Sequence, residues 1–263
     1  MIVAMAPLAA ARTTLAQLRD GLRDGLRDGL QSGEPDVLRA EARAQLRVAL
    51  GRVQPLRPEG LAPTGIAALD ALLGGGLLRG RMAELSGPRS AGRTALSHAA
   101  LAAATARGET VALVDVPGAL DVARARAAGI DLSRLLWVRA GDAKKGIQAT
   151  DLVLGAGGFS LVVLDVGEAL PRLSPASWLR LARGAEKSGT ALLIVAPRPA
   201  GTFASLQLEA RGGAPVFVST VPARDGRFID SPRVLRGLGM QVTLARSRRG
   251  GEGGAATVDL KLR

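Results

Sequence analysis

The sequence has 263 residues and a formal net charge of +12, from 35 basic and 23 acidic side chains. It has no cysteine and a single histidine, His98, which excludes disulfides, thiolate metal sites and imidazole clusters. No apolar run approaches the roughly 20 residues of a membrane-spanning helix, and no basic residue precedes the apolar N-terminus, so we expect a cytoplasmic protein without a membrane partner. The positive charge favours polyanions such as nucleic acid. Aromatic residues make up only 2% of the chain, which argues against a platform for stacking single-stranded bases.

The N-terminal segment contains the repeat LRDGLRDGLRDGL, in which leucines recur every four residues and share one helical face. These leucines are Leu18, Leu22, Leu26 and Leu30. The intervening glycines each weaken a helix by roughly 1 kcal/mol, so the helix is marginal unless its leucines dock on another surface. We therefore interpret Leu18, Leu22 and Leu26 as partner contacts. A solvated or disordered tail is the alternative.

A second amphipathic helix is predicted from about Asp36 to Leu50, and a proline-containing linker follows it. We therefore divide the chain into two parts. Residues 1–60 form an N-terminal helical arm and linker, and residues 61–263 form a core domain with a basic C-terminal hairpin.

From Pro63 onward, apolar strands alternate with helical runs. This pattern predicts an α/β fold, with a mostly parallel sheet flanked by helices on both faces. The predicted strands are Met82–Ser86, Thr110–Val114, Leu135–Arg139, Leu161–Leu164 and Ala191–Ala196. The predicted helices are Ala95–Ala106, Leu120–Ala128, Lys145–Leu154 and Pro175–Ser188.

The stretch GPRSAGRT, Gly87 to Thr94, joins the first of these strands to the first helix. It matches a phosphate-binding P-loop at Gly87, Gly92 and Thr94, but Arg93 stands where that motif has lysine. A planar guanidinium is a poor substitute for a compact ammonium in a tight phosphate cradle. Asp165 ends a buried strand, as the acid of a Walker B pattern does. These five residues define a degenerate nucleotide site, for which we expect neither ATP nor Mg²⁺ as a cofactor.

Near the C-terminus, Leu206 to Arg211 alternates apolar and polar residues, which predicts a half-buried strand. Two more strands, Gln241–Ala245 and Thr257–Leu262, flank the loop RSRRGGEGG, which predicts an antiparallel hairpin with an arginine tip. Arginine contacts to phosphates give weak, sequence-independent and salt-dependent DNA binding. The candidate DNA or partner contacts of this type are Arg198, Arg211, Arg246, Arg248 and Arg249.

Most of the region from Pro63 to Gly212 resembles the ATPase core of the RecA recombinases. The resemblance is carried by PTGIAALDALLGGGLLRGRMAELSGPRSAGRT, by DVPGALDVARARAAGIDLSRLLWVRA, by LVVLD and by ASLQLEARG. Arg246 and Arg248 resemble the Lys-x-Lys pair with which RecA reaches a neighbour's nucleotide. The first 60 residues resemble RecA only as an N-terminal helical element.

The departures from RecA fall on residues that its chemistry requires. The resemblance places Arg93 at the P-loop lysine and Pro117 at the general-base glutamate. It places Arg124 at the tyrosine that stacks on adenine, and Pro197 and Arg198 at the pair that senses the γ-phosphate. Proline can neither accept a proton nor orient water, so the resemblance implies a core that has lost its ATPase activity. Both DNA loops are shortened as well.

A RecA-like chain of this length, with a degenerate P-loop and an arginine-rich loop near its end, is similar to the ImuA family, also described as SulA-like. That similarity implies a non-catalytic accessory protein of mutagenic translesion synthesis. Its partners would be an ImuB-like polymerase relative, a damage-tolerant C-family polymerase and RecA, with weak DNA binding. Two alternatives stay open: a RecA-family paralogue that keeps weak ATP binding or hydrolysis and binds DNA directly, and a regulator of division or signalling without a DNA role.

Overall fold

The computed structural model describes residues 2–4, 40, 43–44, 60–168, 174–200, 203–219, 233–248 and 253–261. The strands within these ranges are β1 (Ile2–Ala4), β2 (Leu61–Ala62), β3 (Leu77–Leu78), β4 (Met82–Ser86), β5 (Val111–Asp115), β6 (Leu135–Arg139), β7 (Leu161–Asp165), β8 (Ala191–Ala196), β9 (Leu206–Ser219), β10 (Arg233–Ser247) and β11 (Ala255–Lys261). The helices are α1 (Ala67–Leu72), α2 (Arg93–Ala106), α3 (Val122–Ala127), α4 (Ala143–Ala156) and α5 (Pro175–Ser188).

A nine-stranded sheet carries the fold, in the order β1-β6-β5-β7-β8-β4-β9-β10-β11. Its centre, from β6 to β9, is parallel. β1 pairs antiparallel with β6 at one end, and β10 and β11 continue antiparallel at the other. The predicted α/β fold class is confirmed, including the C-terminal antiparallel hairpin. The carboxyl ends of β4, β5, β7 and β8 meet at one edge of the sheet, as a parallel sheet requires.

Two apolar layers cover the two faces of the parallel strands. Consecutive strand residues point to opposite faces, so Val163 joins one layer and Leu164 the other. α2 covers the first face through Leu101, and α4 and α5 cover the second face through Leu154 and Leu181. Burial on both faces explains why the strands are continuously apolar in sequence.

Several predicted bounds agree with the structure, and the rest differ in ways that have a physical cause. The predicted alternation from Leu206 is confirmed, since Leu206, Leu208 and Ala210 are buried. β9 and β10 are longer than predicted, because they pair with each other to Ser219 and Arg233 beyond the parallel part of the sheet. α2 begins at Arg93, two residues before the predicted start, because Gly92 already serves as its N-cap.

Part of the predicted helix from Asp36 to Leu50 contacts the core. Ala40, Arg43 and Ala44 are the described residues there, and they are helical. The Arg43 guanidinium donates to Asp151 of α4 at 3.2 Å. The leucine stripe of Leu18, Leu22 and Leu26 lies outside the described residues.

Candidate functional site

The loop between β4 and α2 has the backbone of an anion-binding turn. Gly87 lies so close to β9 that an added Cβ would overlap the carbonyl oxygen of Ala210. Ser90 and Gly92 have φ of 63° and 84°, in the left-handed region where L side chains are rare. Gly92 then opens α2 without a side-chain hydrogen bond to the first turn. The loop therefore presents the positive end of a long helix at the carboxyl edge of the sheet.

Arg93 is the first residue of α2, and its guanidinium does not project into solvent. Its side chain is 8% exposed, and Nη2 donates to Oε1 of Glu168 at 2.5 Å. Glu168, in the loop after β7, is 52% exposed. A cation at a helix N-terminus opposes the helix dipole, and burial makes its charge more costly. The carboxylate of Glu168 offsets both effects.

Two acids lie side by side at the same edge. Asp115 of β5 and Asp165 of β7 are partners in the parallel ladder. Burial raises the pKa of Asp165, and the charges of Asp115 and Glu168 raise it further. A hydrogen bond from the Gly167 backbone N–H, 2.8 Å long, and the charge of Arg93 oppose that rise in pKa.

Asp115 is occupied by structural hydrogen bonds. It accepts from the backbone N–H groups of Ala119 and Leu120, at 3.1 and 2.9 Å, and from the Trp137 indole at 3.1 Å. These bonds fix the loop after β5.

His98 lies on α2 near Asp115. Burial lowers the pKa of His98, and the charge of Asp115 opposes that lowering. His98 is half-buried, which is consistent with a residue on the helix face.

Several residues at this edge differ from those with which the P-loop motif binds ATP and Mg²⁺. The cation that should reach the phosphates is paired with Glu168. Pro117 follows β5 on the loop that faces the exit of β7, where a Cβ added at Gly167 would lie 3.4 Å from its ring. The resemblance places the general base at Pro117, and a pyrrolidine ring can neither accept a proton nor orient water. Arg124 lies on the surface of α3, with its side chain 86% exposed. Of the described residues, no group of three His, Cys, Asp or Glu could hold a metal ion.

The predicted nucleotide-site residues lie together at one edge of the sheet, whereas the predicted contact arginines lie at different levels along the strands. Gly87, Gly92, Arg93, Thr94 and Asp165 all lie at the carboxyl edge of the parallel strands. Thr94 is exposed, in the first turn of α2. Arg198 and Arg211 are exposed near this edge, one following β8 and the other in β9 just beyond the level of Ser86.

Arg248 lies toward the opposite, amino edge, and Arg246 lies between the two edges, level with the middle of β4. Arg246 is level with Gln207, and the backbone N–H of Arg248 donates to Ser205 at 3.0 Å, before β9 begins. Both side chains are at least partly exposed. Arg249 lies outside the described residues. The four described arginines therefore lie at different levels along the strands.

Sequence reasoning did not find two carboxylates that organise this region. Glu168 was not predicted as the partner of Arg93, although it lies three residues after the strand-ending Asp165. Glu84, in the middle of β4, is 2% exposed and accepts a hydrogen bond from the backbone N–H of Ala200, after β8. The available signal was a charged residue inside an otherwise apolar strand, because such a residue is buried only with partners.

Comparison with known families gives the affiliation of the chain. The model of the RecA N-terminal domain matches residues 48–179, half of the sequence. The chain belongs to the RecA family. It is 39% identical over 112 residues to the RecA protein of Lactobacillus delbrueckii subsp. bulgaricus, covering 42% of this chain and 34% of that protein. The RecA protein of Mycobacterium ulcerans is 35% identical over 140 residues, covering 50% and 40%.

The match to these RecA proteins is partial, and the structural likeness extends further. The chain spans between about a third and two fifths of the length of these relatives. The RadB recombinase structure aligns with 75% of this chain and 94% of its own, with a TM-score of 0.56 and 20% identity. This likeness concerns the fold. No helix in the described part of the chain is long and apolar enough to cross a membrane.

Proposed function

We propose that this chain is a non-catalytic, RecA-like accessory protein of the DNA damage response, located in the cytoplasm. It is an ImuA-type protein that supports mutagenic translesion synthesis. The observation that carries the proposal is the buried Arg93, which occupies the position of the P-loop lysine and is bound to Glu168. The pyrrolidine of Pro117 at the position of the general base supports the same conclusion.

The proposed partners are an ImuB-like polymerase relative, a damage-tolerant C-family polymerase and RecA. Support comes from a RecA-type sheet that is retained while the positions for hydrolysis are replaced. A protein that keeps a fold but not its catalytic residues can still bind partners, since docking on its surface does not require turnover of a ligand. The exposed arginines at both edges of the sheet add weak DNA binding. Its affinity should fall steeply with salt and be indifferent to base sequence.

ATP turnover of the purified full chain tests the loss of catalysis. We expect no hydrolysis above background, with or without single-stranded DNA, under conditions in which RecA hydrolyses ATP. Arg93→Lys should not restore turnover, because Pro117 still supplies no base. Steady hydrolysis by the unmodified protein, abolished by Asp165→Ala, would overturn the proposal.

A second candidate is a RecA-family paralogue that still binds ATP, or hydrolyses it weakly, and binds DNA directly. The loop geometry favours it, because Gly87 and Gly92 keep their backbone roles and Thr94 remains exposed at the start of α2. Equilibrium binding of ATP separates the candidates. Binding that requires both Mg²⁺ and Asp165 would support the paralogue. A regulator of division or signalling without a DNA role would show neither DNA nor RecA binding.

A further inference from the structure

We infer that Glu168 is a built-in anion that occupies the phosphate cradle and excludes polyphosphates from it. This inference deepens the proposed function and rests on it, since it gives a reason why a RecA-type core would bind no nucleotide. Glu168 thereby determines the ligand specificity of the loop from Gly87 to Thr94.

The electrostatics of the loop favour an acid at this place. α2 has no acidic residue in its first turn, and its N-cap, Gly92, has no side chain that could accept from the helix N–H groups. Arg93 adds a buried unit charge to the positive end of a 14-residue helix. Such an arrangement attracts an anion, and the anion that the chain supplies is the carboxylate of Glu168, 2.5 Å from Nη2.

The ion pair between Arg93 and Glu168 joins the start of α2 to the loop after β7. Arg93 begins α2, directly after the loop that follows β4, and Glu168 lies in the loop after β7, beyond the Gly167 N–H that binds Asp165. β8 lies between β4 and β7 in the sheet, so the ion pair spans the strand that separates them. A phosphate group in the cradle would meet the same guanidinium. The carboxylate and a phosphate therefore compete for one cation.

Competition predicts that removal of the carboxylate creates an anion site. Inorganic pyrophosphate is the probe, and isothermal titration calorimetry of the full chain at constant salt gives its affinity. Glu168→Ala should bind pyrophosphate roughly tenfold or more tightly than the parent, the effect of losing one charged hydrogen-bonded competitor. Adding Arg93→Ala to that variant should remove the gain.

Two further variants keep the experiment decisive. Glu186→Ala removes an acid from an exposed pair with Arg81, 2.8 Å long, at the opposite edge of the sheet, and should change pyrophosphate affinity little. Glu168→Gln retains the side-chain size if Glu168→Ala does not fold, and it should show a smaller gain in affinity. Equal affinities of the parent and both Glu168 variants would overturn the inference, as would a gain that survives Arg93→Ala.

Failure of this inference can be distinguished from failure of the proposed function. ATP hydrolysis by the parent protein would contradict the non-catalytic role, whereas the pyrophosphate affinities of parent and variant decide the role of Glu168. Thermal unfolding gives an independent readout. Pyrophosphate should raise the Tm of Glu168→Ala and leave the Tm of the parent nearly unchanged.

Discussion

The end of β7 places Asp165 where burial and two nearby acids oppose its ionisation, so that its pKa in the folded protein lies above the ordinary value of 3.8. Between those two pKa values the folded state binds more protons than the unfolded state. The free energy of unfolding therefore falls as pH rises through this window, and it stays lower at neutral pH. Ionised Asp165 is thus a cost to the fold.

Replacement of Asp165 by asparagine should remove that cost. Asp165→Asn keeps an oxygen that can accept from the Gly167 N–H, so it should raise Tm at neutral pH. The gain should shrink toward zero as pH falls below 3.8, where the carboxyl of the parent is neutral in both states. Thermal melts over a pH series measure both effects. A lower Tm for the variant at neutral pH would mean that attraction to Arg93 outweighs the desolvation of Asp165.

Gly87 illustrates a residue whose role depends on closeness to another strand. An added Cβ would meet backbone of Ala210, which cannot rotate away, so Gly87→Ala should destabilise the protein by about 2 kcal/mol or more. Gly141 is the matched control, with φ of 77° and no atom within 4 Å of an added Cβ. Gly141→Ala should cost about 1 kcal/mol from backbone conformation alone. Urea unfolding of the two variants tests the difference, and equal losses would contradict a steric role for Gly87.

At the level of elements, the buried strands and long helices were predictable because their signals are local. β4, β6, β8 and α5 have the predicted bounds, since each is a mainly apolar or amphipathic run between breakers. The extension of β9 was not predictable, because Gly212 and Pro215 indicate a turn. It forms because β10 pairs with it through register shifts that accommodate these residues, and that pairing is a long-range contact.

Part of the candidate site was also predictable, because its sequence signal is local. A glycine pattern between a strand and a helix identifies the phosphate loop from sequence alone. The pairing of Arg93 with Glu168 depends on the order of strands in the sheet, which places residues 75 positions apart in contact. Arg211 lies in β9 and Arg248 directly follows the neighbouring strand β10. Both were expected to contact DNA or a partner, and they are separated by their positions along these strands.

The N-terminal segment contacts α4 at Gly155, whose lack of a side chain leaves room for Arg43. A Cβ at Gly155 would overlap the Arg43 side chain, which pairs with Asp151. Gly155→Ala should therefore displace Arg43 and speed amide exchange around residues 43–44, as Arg43→Ala should.

A double-mutant cycle isolates this contact. In the Arg43→Ala background, Gly155→Ala should stabilise the protein by up to about 1 kcal/mol, because alanine is the better helix former. In the parent background the displaced ion pair should reduce that gain. Identical effects of Gly155→Ala in both backgrounds, measured by urea unfolding, would show that Arg43 does not anchor the segment to α4.

In the whole molecule, Arg246 and Arg248 lie apart from the degenerate nucleotide site, at other levels along the strands of the sheet. Arg246 is level with the middle of β4 and Arg248 lies toward the amino edge, while Arg93 lies at the carboxyl edge of β4. We therefore expect a phosphate that they contact to belong to another molecule. Under the proposed function that molecule is RecA, and an arginine pair can bind a phosphate with directional hydrogen bonds. One face of the chain would then engage RecA while its own cradle supports no hydrolytic cycle.

This arrangement predicts that the protein slows RecA. Added to RecA on single-stranded DNA at comparable concentration, it should reduce the rate of ATP hydrolysis by RecA, and Arg246→Ala with Arg248→Ala should relieve that inhibition. Arg198→Ala with Arg211→Ala removes the same charge near the carboxyl edge and should leave the inhibition in place, which separates docking from general loss of DNA affinity. If the Arg246 and Arg248 variant inhibits like the parent, the contact lies elsewhere on the chain. If the parent protein leaves RecA turnover unchanged, docking on RecA is wrong.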